Sequence, residues 1–176
     1  LGKYLEASGV DGGSLRSMLD FGCGSGRLLA GWHLLDPGRK LHGCDIREEL
    51  VEWASRSFPP GVEFARNSLE PPLPYEDGLF DLAYAASVFT HLSLSSQRAW
   101  RRELRRVLRK GGTLLVTLHG GLYVRLLFGS GSEESGLFAR DAYLQKGGAG
   151  EGTNDWATFH RRAFVEELFE GFRLRG

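Results

Sequence analysis

The sequence predicts an α/β protein whose sheet is doubly wound and mostly parallel. Strand-like and helix-like segments alternate as far as residue 118, and a glycine-rich turn joins the first strand to the first helix. The fourth strand is apolar on both faces, as a central parallel strand should be. The 176 residues are enough for one domain with a proper core, so we expect a single domain over 1–176.

Each predicted strand is short and ends near glycine, proline or an acidic residue. The five strands are predicted at 17–21, 41–44, 62–65, 80–86 and 113–118. A proline-rich acidic loop over 70–78 separates the third strand from the fourth. This order places the first strand and its glycine-rich turn in the first half of the domain.

The helices are predicted from apolar residues at spacings of three and four. They cover 26–35, 48–58, 95–108 and 161–169. The first is stopped by Asp36-Pro37-Gly38, the second by Pro59-Pro60-Gly61 and the third by Lys110-Gly111-Gly112. On the second, Leu50, Val51, Ala54 and Phe58 share one face, which we expect to be buried.

The last third of the chain has a different character. Residues 129–152 are rich in glycine and polar side chains, with few helix or strand signals, which is typical of a long functional loop. Residues 172–174 could begin a sixth strand. We therefore expect a truncated C-terminal part of the sheet, in which the fifth strand is an open edge.

The charge balance disfavours several classes of partner. Lysine plus arginine and aspartate plus glutamate each number 22, so the formal net charge is zero. Broad binding to nucleic acid or to an anionic membrane needs excess positive charge. Two cysteines do not make a disulfide framework, and no apolar run approaches a membrane span. We expect a cytoplasmic protein without nucleic-acid or membrane partners, and the oligomeric state stays open.

The glycine-rich turn and the following acid indicate an adenosine-containing ligand. Gly22, Gly24 and Gly26 allow a tight turn that a ligand can approach, and Asp45 ends the next strand, where a carboxylate can accept ribose hydroxyls. A dinucleotide site would read G-x-G-x-x-G, but Arg27 stands at the last position. Asp20, two residues before Gly22, suits a ligand with a positive end better than a pyrophosphate.

Further segments extend this pattern into a family resemblance. The chain resembles the class I S-adenosylmethionine-dependent methyltransferases, whose fold is Rossmann-like and whose middle reads like L-P-Y-x-D-x-x-F-D. Here that motif is Leu73 to Asp81. The segments that carry the resemblance are 19–26, 43–46, 67–69, 73–86 and 107–117, with a weaker echo at 158–174. The implied cofactor is S-adenosyl-L-methionine, bound by a cofactor half over 15–90.

The resemblance assigns a role to each residue of the glycine turn and of the second strand end. Gly22 and Gly24 would pass under the methionyl part of the cofactor. Asp20 would order the turn and the ammonium group. Asp45 would hold the ribose, and Ile46 would pack against the adenine face.

Three further residues are assigned in the same way. Asn67 stands where the family often has aspartate, and its side-chain oxygen can still accept from the adenine amino group. Ser68 would offer its backbone N–H to the adenine ring. Ala85 would approach the methionyl portion.

Three histidines lie after strands or before helices, where ligands of open α/β sheets bind. His91 follows the fourth strand and could be a base or a substrate contact, although a histidine that fixes the start of the next helix is the favoured interpretation. His119 and His160 share this ambiguity. Their spacing does not indicate a metal site. We expect the segment 120–160, with its aromatic residues Tyr123, Tyr143 and Trp156, to face the substrate.

Two other features favour structural roles. The basic run from Arg101 to Lys110 alternates with apolar residues at helical spacing, which indicates a solvent-facing helix surface rather than a nucleic-acid site. Cys23 and Cys44 are interpreted as packing residues. No nucleophilic cysteine or Asn/Asp-Pro-Pro-aromatic motif follows the fourth strand, which disfavours methylation of DNA bases.

We therefore expect methyl transfer to a small-molecule or glycan acceptor, with O-methylation as the leading hypothesis. Because the leaving group of the donor is already activated, positioning can supply much of the catalysis. The alternatives are an NAD-dependent oxidoreductase on the same fold, a cofactor-binding module without catalytic activity, and a fragment unable to fold stably.

Overall fold

The computed structural model describes residues 1–140, 143–147, 150–153 and 155–175. The chain divides into two compact units, each described here by itself. Unit 1 comprises Leu1–Ala86, Arg102–Leu115 and Arg173–Gly176, and unit 2 comprises Ser87–Arg101 and Val116–Phe172.

Unit 1 contains a five-stranded sheet, a helix that precedes the first strand and the helices that follow the first two strands. The strands are β1 (Ser17–Phe21), β2 (Lys40–Asp45), β3 (Val62–Arg66), β4 (Phe80–Ala85) and β5 (Leu108–Val116). The helices are α1 (Gly2–Ala7), α2 (Arg27–Leu35) and α3 (Glu48–Ser57), with a short 3-10 helix over Gly12–Ser14. The next helix, α4 (Leu94–Val107), has residues in both units.

The strand order of the sheet is β3-β2-β1-β4-β5. The pairs β1–β2, β1–β4 and β2–β3 are all parallel, with Ser17 opposite Lys40 in the first pair. Because β1 lies at the centre, its carboxyl end meets that of β2 on one side and that of β4 on the other. This order brings the glycine turn after β1 next to Asp45 at the end of β2.

The core of unit 1 follows the predicted apolar pattern. All five residues of β1 are buried, and the core around β1 includes Leu29 and Trp32 of α2 and Leu41 of β2. Of the face predicted for α3, Val51 and Ala54 are buried, and Leu50 and Phe58 are half-buried. The predicted α/β class, the parallel sheet and the order of its first elements are confirmed.

The region around β5 differs from the prediction. The predicted glycine stop at 110–112 lies inside the strand, because β5 begins directly after α4. Gly111 has a φ of 77°, and a Cβ at Gly112 would lie 2.9 Å from the carbonyl oxygen of Arg109. These glycines therefore allow a sharp change of direction at the start of the strand. Within the described residues β5 is the edge of the sheet, as predicted.

Unit 2 is richer in secondary structure than its sequence suggested. It contains the 3-10 turn Phe89–His91, α5 (Gly121–Phe128), α6 (Glu133–Arg140), β6 (Tyr143–Gly147), β7 (Trp156–His160) and α7 (Arg162–Leu168). The prediction of few elements over 129–152 is wrong. Strands β6 and β7 form an antiparallel pair, and a core of Val124, Leu144 and Phe159 supports it.

The C-terminal predictions have mixed outcomes. The last helix, α7, lies within the predicted range 161–169. The suggested sixth strand at 172–174 is wrong, because these residues form no strand. Among the described residues, no helix is long and apolar enough to cross a membrane.

Candidate functional site

The turn between β1 and α2 is built from main-chain geometry. Gly22, Gly24 and Gly26 have φ angles of 77°, 56° and 77°, in the left-handed region that side chains disfavour. The N–H groups of Gly22 and Cys23 donate to the Cys44 carbonyl at 2.8 and 2.9 Å. These two bonds tie the turn to the end of β2.

The glycines of this region serve two different purposes. A Cβ added at Gly26 would lie 2.7 Å from the Phe58 ring, and one at Gly43 would lie 2.8 Å from Leu29. Those two positions are glycine because the protein packs against them. A Cβ at Gly24 would meet nothing within 4 Å, so the space beside Gly24 is open. Gly24 therefore offers its backbone to a ligand.

Asp45 is the centre of this arrangement. Its carboxylate is buried and accepts hydrogen bonds from the Gly24 N–H at 2.8 Å and from the Arg47 N–H at 2.9 Å. Each oxygen accepts one of these bonds and keeps a further lone pair for a ligand hydroxyl. The next residue, Ile46, is 37% exposed, which leaves an apolar surface beside the carboxylate.

Asp20 is a second buried carboxyl group, at the end of β1. Burial raises the pKa of Asp20 to about 7, the charge of Asp45 acts in the same direction, and the Tyr84 hydroxyl opposes them. The anionic form of Asp20 is therefore stabilised by whatever positive charge comes near it. An ammonium or sulfonium group is such a charge.

The remaining residues predicted to bind the cofactor lie after β3 and at the end of β4. Asn67 is buried and donates from its N–H to the Asp45 carbonyl at 3.1 Å and from Nδ2 to the Ser68 carbonyl at 2.7 Å. Its Oδ1 is buried and accepts no hydrogen bond from the described residues. A buried acceptor without a donor is costly, and an adenine amino group would satisfy it. Ser68 is exposed and Ala85 is buried.

The motif from Leu73 to Asp81 is a structural clamp, which sequence reasoning missed. Arg106 of α4 donates to the carbonyls of Leu73 and Tyr75 and pairs with Asp77 at 2.6 Å. Glu103 accepts from the Leu73 N–H at 2.7 Å. The one acidic residue within the basic run was the available signal for this clamp.

Another arginine of the basic run forms an ion pair, and the two cysteines are buried. Arg109 pairs with Asp81, whose carboxylate also accepts from the N–H groups of Arg16 and Ser17. Cys23 and Cys44 are free and buried, and burial raises the pKa of both thiols. These thiols are neutral at physiological pH, which fits their interpretation as packing residues.

Unit 2 holds the three histidines. The ring of His91 donates from Nδ1 to the Trp156 carbonyl at 2.7 Å, because a carbonyl can only accept. This bond leaves Nε2 as the atom that carries the lone pair of the neutral ring. The residue that caps the start of α4 is Ser93, not His91. The Ser93 hydroxyl accepts from the Ser96 N–H at 3.2 Å.

His119 and His160 lie in more apolar surroundings. His119 stacks on Tyr123 with ring centroids 4.4 Å apart, and its centroid lies 6.5 Å from that of His91. Burial lowers the pKa of His119, and His91 adds to this effect. Burial lowers the pKa of His160 to about 4, so this ring is neutral. No cluster of metal-ligating side chains occurs among the described residues.

The comparisons with known proteins agree with this geometry. The methyltransferase domain family matches residues 19–116, more than half of the chain. An S-adenosylmethionine-dependent methyltransferase from Mesorhizobium loti is 26% identical, over 62% of this chain and 48% of its own, with a TM-score of 0.52. This chain therefore spans about half the length of that protein.

Two other solved structures match nearly the whole chain. The PH0226 protein from Pyrococcus horikoshii OT3 covers 96% of this chain and 78% of its own, at 21% identity and a TM-score of 0.63. Human N-acetylserotonin methyltransferase, solved with S-adenosylmethionine, covers 98% of this chain and 46% of its own, at 21% identity and a TM-score of 0.64. At this identity both show the fold.

The chain belongs to the methyltransferase domain family. The predicted class I methyltransferase superfamily and the cofactor that goes with it, S-adenosyl-L-methionine, are therefore confirmed. The residues present fit that cofactor. Asp45 would supply an acceptor for the ribose, Asn67 Oδ1 would supply an acceptor for the amino group, and the open space at Gly24 leaves room for the ligand.

Proposed function

We propose that the protein transfers a methyl group from S-adenosylmethionine to a hydroxyl of a small molecule or glycan. When bound, the cofactor supplies a methyl group on a positively charged sulfur, which is electrophilic without further activation. Transfer to a hydroxyl needs the hydroxyl proton to be removed. The protein must therefore hold the cofactor, hold the acceptor and offer a base.

The observation that carries this proposal is the hydrogen bond from His91 Nδ1 to the Trp156 carbonyl. It selects the tautomer whose Nε2 can accept a proton, and it holds the ring in one orientation. The other ring nitrogen, Nε2, has no hydrogen-bond partner among the described residues, so it is available to accept a proton. We assign His91 as the general base.

The cofactor is held by unit 1 in this proposal. Asp45 accepts the ribose hydroxyls, Asn67 Oδ1 accepts from the adenine amino group, and Ile46 covers one face of the ring. Asp20, in its anionic form, faces the ammonium end. The rest of the proposed cofactor site is lined by the backbone of Gly22 and Gly24 and by Ser68 and Ala85.

The acceptor is assigned to unit 2, within the segment 120–160. Its aromatic residues Tyr123, Tyr143 and Trp156 are half-buried or exposed, and Tyr123 stacks on His119. Flat apolar surfaces beside a histidine suit the ring of a small organic molecule or of a sugar. The free thiols of Cys23 and Cys44 support a reducing compartment, and we keep the cytoplasm as the proposed location.

The first test compares ligands for unit 1. Calorimetric titration should show binding of S-adenosylmethionine and S-adenosylhomocysteine and weaker or no binding of NAD. Tighter binding of NAD than of S-adenosylhomocysteine would overturn the cofactor assignment and favour the oxidoreductase.

The second test screens pools of phenols, polyols and sugars as acceptors and measures the S-adenosylhomocysteine released. With the best acceptor, His91→Ala should lower turnover on the order of 10- to 100-fold and leave S-adenosylhomocysteine affinity unchanged. His33→Ala, in α2, is the control. Cofactor binding without transfer to any pool would favour a module that only binds the cofactor.

A further inference from the structure

Gln97 is a fully buried polar residue one helical turn into α4. Its Nε2 donates to the Phe89 carbonyl at 2.8 Å and to the Leu92 carbonyl at 2.9 Å. These two carbonyls stand on either side of His91 in the chain. Gln97 therefore holds the 3-10 turn at both ends.

The side-chain oxygen of Gln97, Oε1, makes the third hydrogen bond of this amide. Both hydrogens of Nε2 are used on carbonyls, so Oε1 can only accept, and it accepts from His160 Nε2 at 2.8 Å. His160 is thus the Nε2–H tautomer, in agreement with its neutral state. One side chain links the turn of His91 to the end of β7.

The segment before and within β7 holds the same turn from the other side. The Gly152 N–H donates to the His91 carbonyl at 2.8 Å, and the Thr158 hydroxyl donates to the Leu92 carbonyl at 2.7 Å. Thr158 is fully buried. The Trp156 carbonyl, on the same strand, accepts from the His91 ring. The His91 carbonyl therefore accepts from Gly152, and the Leu92 carbonyl accepts from both Gln97 and Thr158.

We propose that Gln97 is the positioning residue for His91, and that Thr158 supports it by sharing the Leu92 carbonyl. This inference rests on the proposed role of His91 as the base. The turn has only three residues and no side-chain cap of its own, so its orientation depends on these outside donors. A small rotation of the turn would break the bond to Trp156 and release the His91 ring.

The chain offers variants that separate positioning from packing. Gln97→Glu keeps an acceptor for His160 but loses both donors to the turn. His160→Phe does the opposite, because it leaves the two carbonyl bonds of Gln97 intact. Thr158→Val removes one hydroxyl at constant shape, and Thr113→Val in β5 is the matched control.

The tautomer of His91 gives a readout that packing alone would not move. In protein labelled with ¹⁵N-histidine, long-range ¹H–¹⁵N spectra should show His91 as a single Nδ1–H tautomer. We expect a mixture of tautomers in Gln97→Glu and in Thr158→Val, and the wild-type signal in His160→Phe and Thr113→Val. An unchanged His91 signal in both Gln97→Glu and Thr158→Val overturns the inference. Should Gln97→Glu fail to fold, the spectrum of Thr158→Val decides.

Kinetics with the best acceptor of the screen separate this inference from the proposed function. Gln97→Glu should lower kcat roughly tenfold with the KM for S-adenosylmethionine unchanged. A wild-type rate in His91→Ala refutes the proposed base, whatever the spectra show. A lowered rate in His91→Ala with wild-type kcat in Gln97→Glu and Thr158→Val refutes the positioning role alone.

Discussion

The two candidate sites of this protein are built in different ways. The cofactor site of unit 1 is made mainly of main-chain groups within two neighbouring strand ends, with Asp45 only 21 residues from Gly24. The site around His91 in unit 2 depends, besides the local bonds of Gln97, on hydrogen bonds between residues that are 63 to 66 positions apart. The first can be identified from a local motif, and the second depends on the fold of the intervening chain.

Backbone conformation shows the same contrast. The left-handed positions of the turn between β1 and α2 are all glycines, Gly22, Gly24 and Gly26, so they can be predicted from the sequence. In unit 2, Ser87 has a φ of 58°, and it is the one non-glycine residue in this region among the described residues. Its N–H donates to Thr117 Oγ1 at 2.7 Å. Local sequence gives no sign of that conformation, because tertiary contacts impose it.

The largest effect is expected from the pH dependence of Asp20. Its pKa is about 7 in the folded protein against an ordinary value of 3.8, so the folded state holds a proton that the unfolded state has released. The resulting stabilisation is complete below about pH 4 and is lost as the pH rises through 7. Asp20→Asn should therefore be more stable than wild type at pH 8 by up to about 4 kcal/mol.

The measurement is urea unfolding of both proteins between pH 5 and pH 8. The stability difference should grow with pH over this range. Asp155→Asn, at an exposed position of unit 2, is the control. A difference for Asp20→Asn that does not change with pH would contradict the assignment of a buried, protonated carboxyl group.

The next largest effect is a loss of cofactor affinity in Asp45→Ala, with Asp77→Ala as the matched control. Asp45→Ala removes the acceptor for the ribose and for the Gly24 N–H, and a hydrogen bond to a charged group contributes about 1.5–3 kcal/mol. S-adenosylhomocysteine affinity should fall roughly tenfold to a hundredfold by calorimetry. Asp77→Ala should change it less than about twofold, because that carboxylate is mostly exposed and its partner is Arg106. Equal effects would refute the ribose assignment.

Sequence reasoning reached the fold and the glycine turn beside Asp45, whereas it did not predict the contacts of the histidine region. The period of apolar residues located β1 to β4 and α2 to α4 within one or two residues. It missed α1, α5, α6, β6 and β7, because short helices and strands carry little periodicity. The partners of His91 could not be predicted, since a backbone carbonyl such as that of Trp156 has no residue-type signature.

A smaller effect on stability is expected from alanine substitutions in the turn between β1 and α2, where Gly24 faces open space and Gly26 faces Phe58. Gly24→Ala should cost about 1 kcal/mol of stability, because alanine is strained at the left-handed φ of this position. No clash adds to this cost, since the new Cβ would meet open space. The same Cβ would occupy the space proposed for the cofactor, so binding should weaken. Gly26→Ala adds a clash with Phe58 and should lower stability more.

Urea unfolding and calorimetry of both glycine variants check this distinction. Gly24→Ala should lose more cofactor affinity than its small loss of stability explains. If Gly24→Ala binds S-adenosylhomocysteine as tightly as wild type, the open space beside Gly24 is not the cofactor's.

The smallest effect is expected at Ser87, where unit 2 has a left-handed residue without glycine. Glycine adopts this φ at no steric cost, so Ser87→Gly should stabilise the protein by about 0.5–1 kcal/mol. Ser87→Ala keeps the backbone strain and serves as the control, and it should not stabilise. The strain lies four residues before His91, so it is informative to measure turnover in the same variants. A more stable Ser87→Gly with reduced turnover would show that the strained backbone helps to place the His91 turn. A more stable variant with full turnover would show that the strain is incidental, and that Gln97 and Thr158 suffice to hold the histidine.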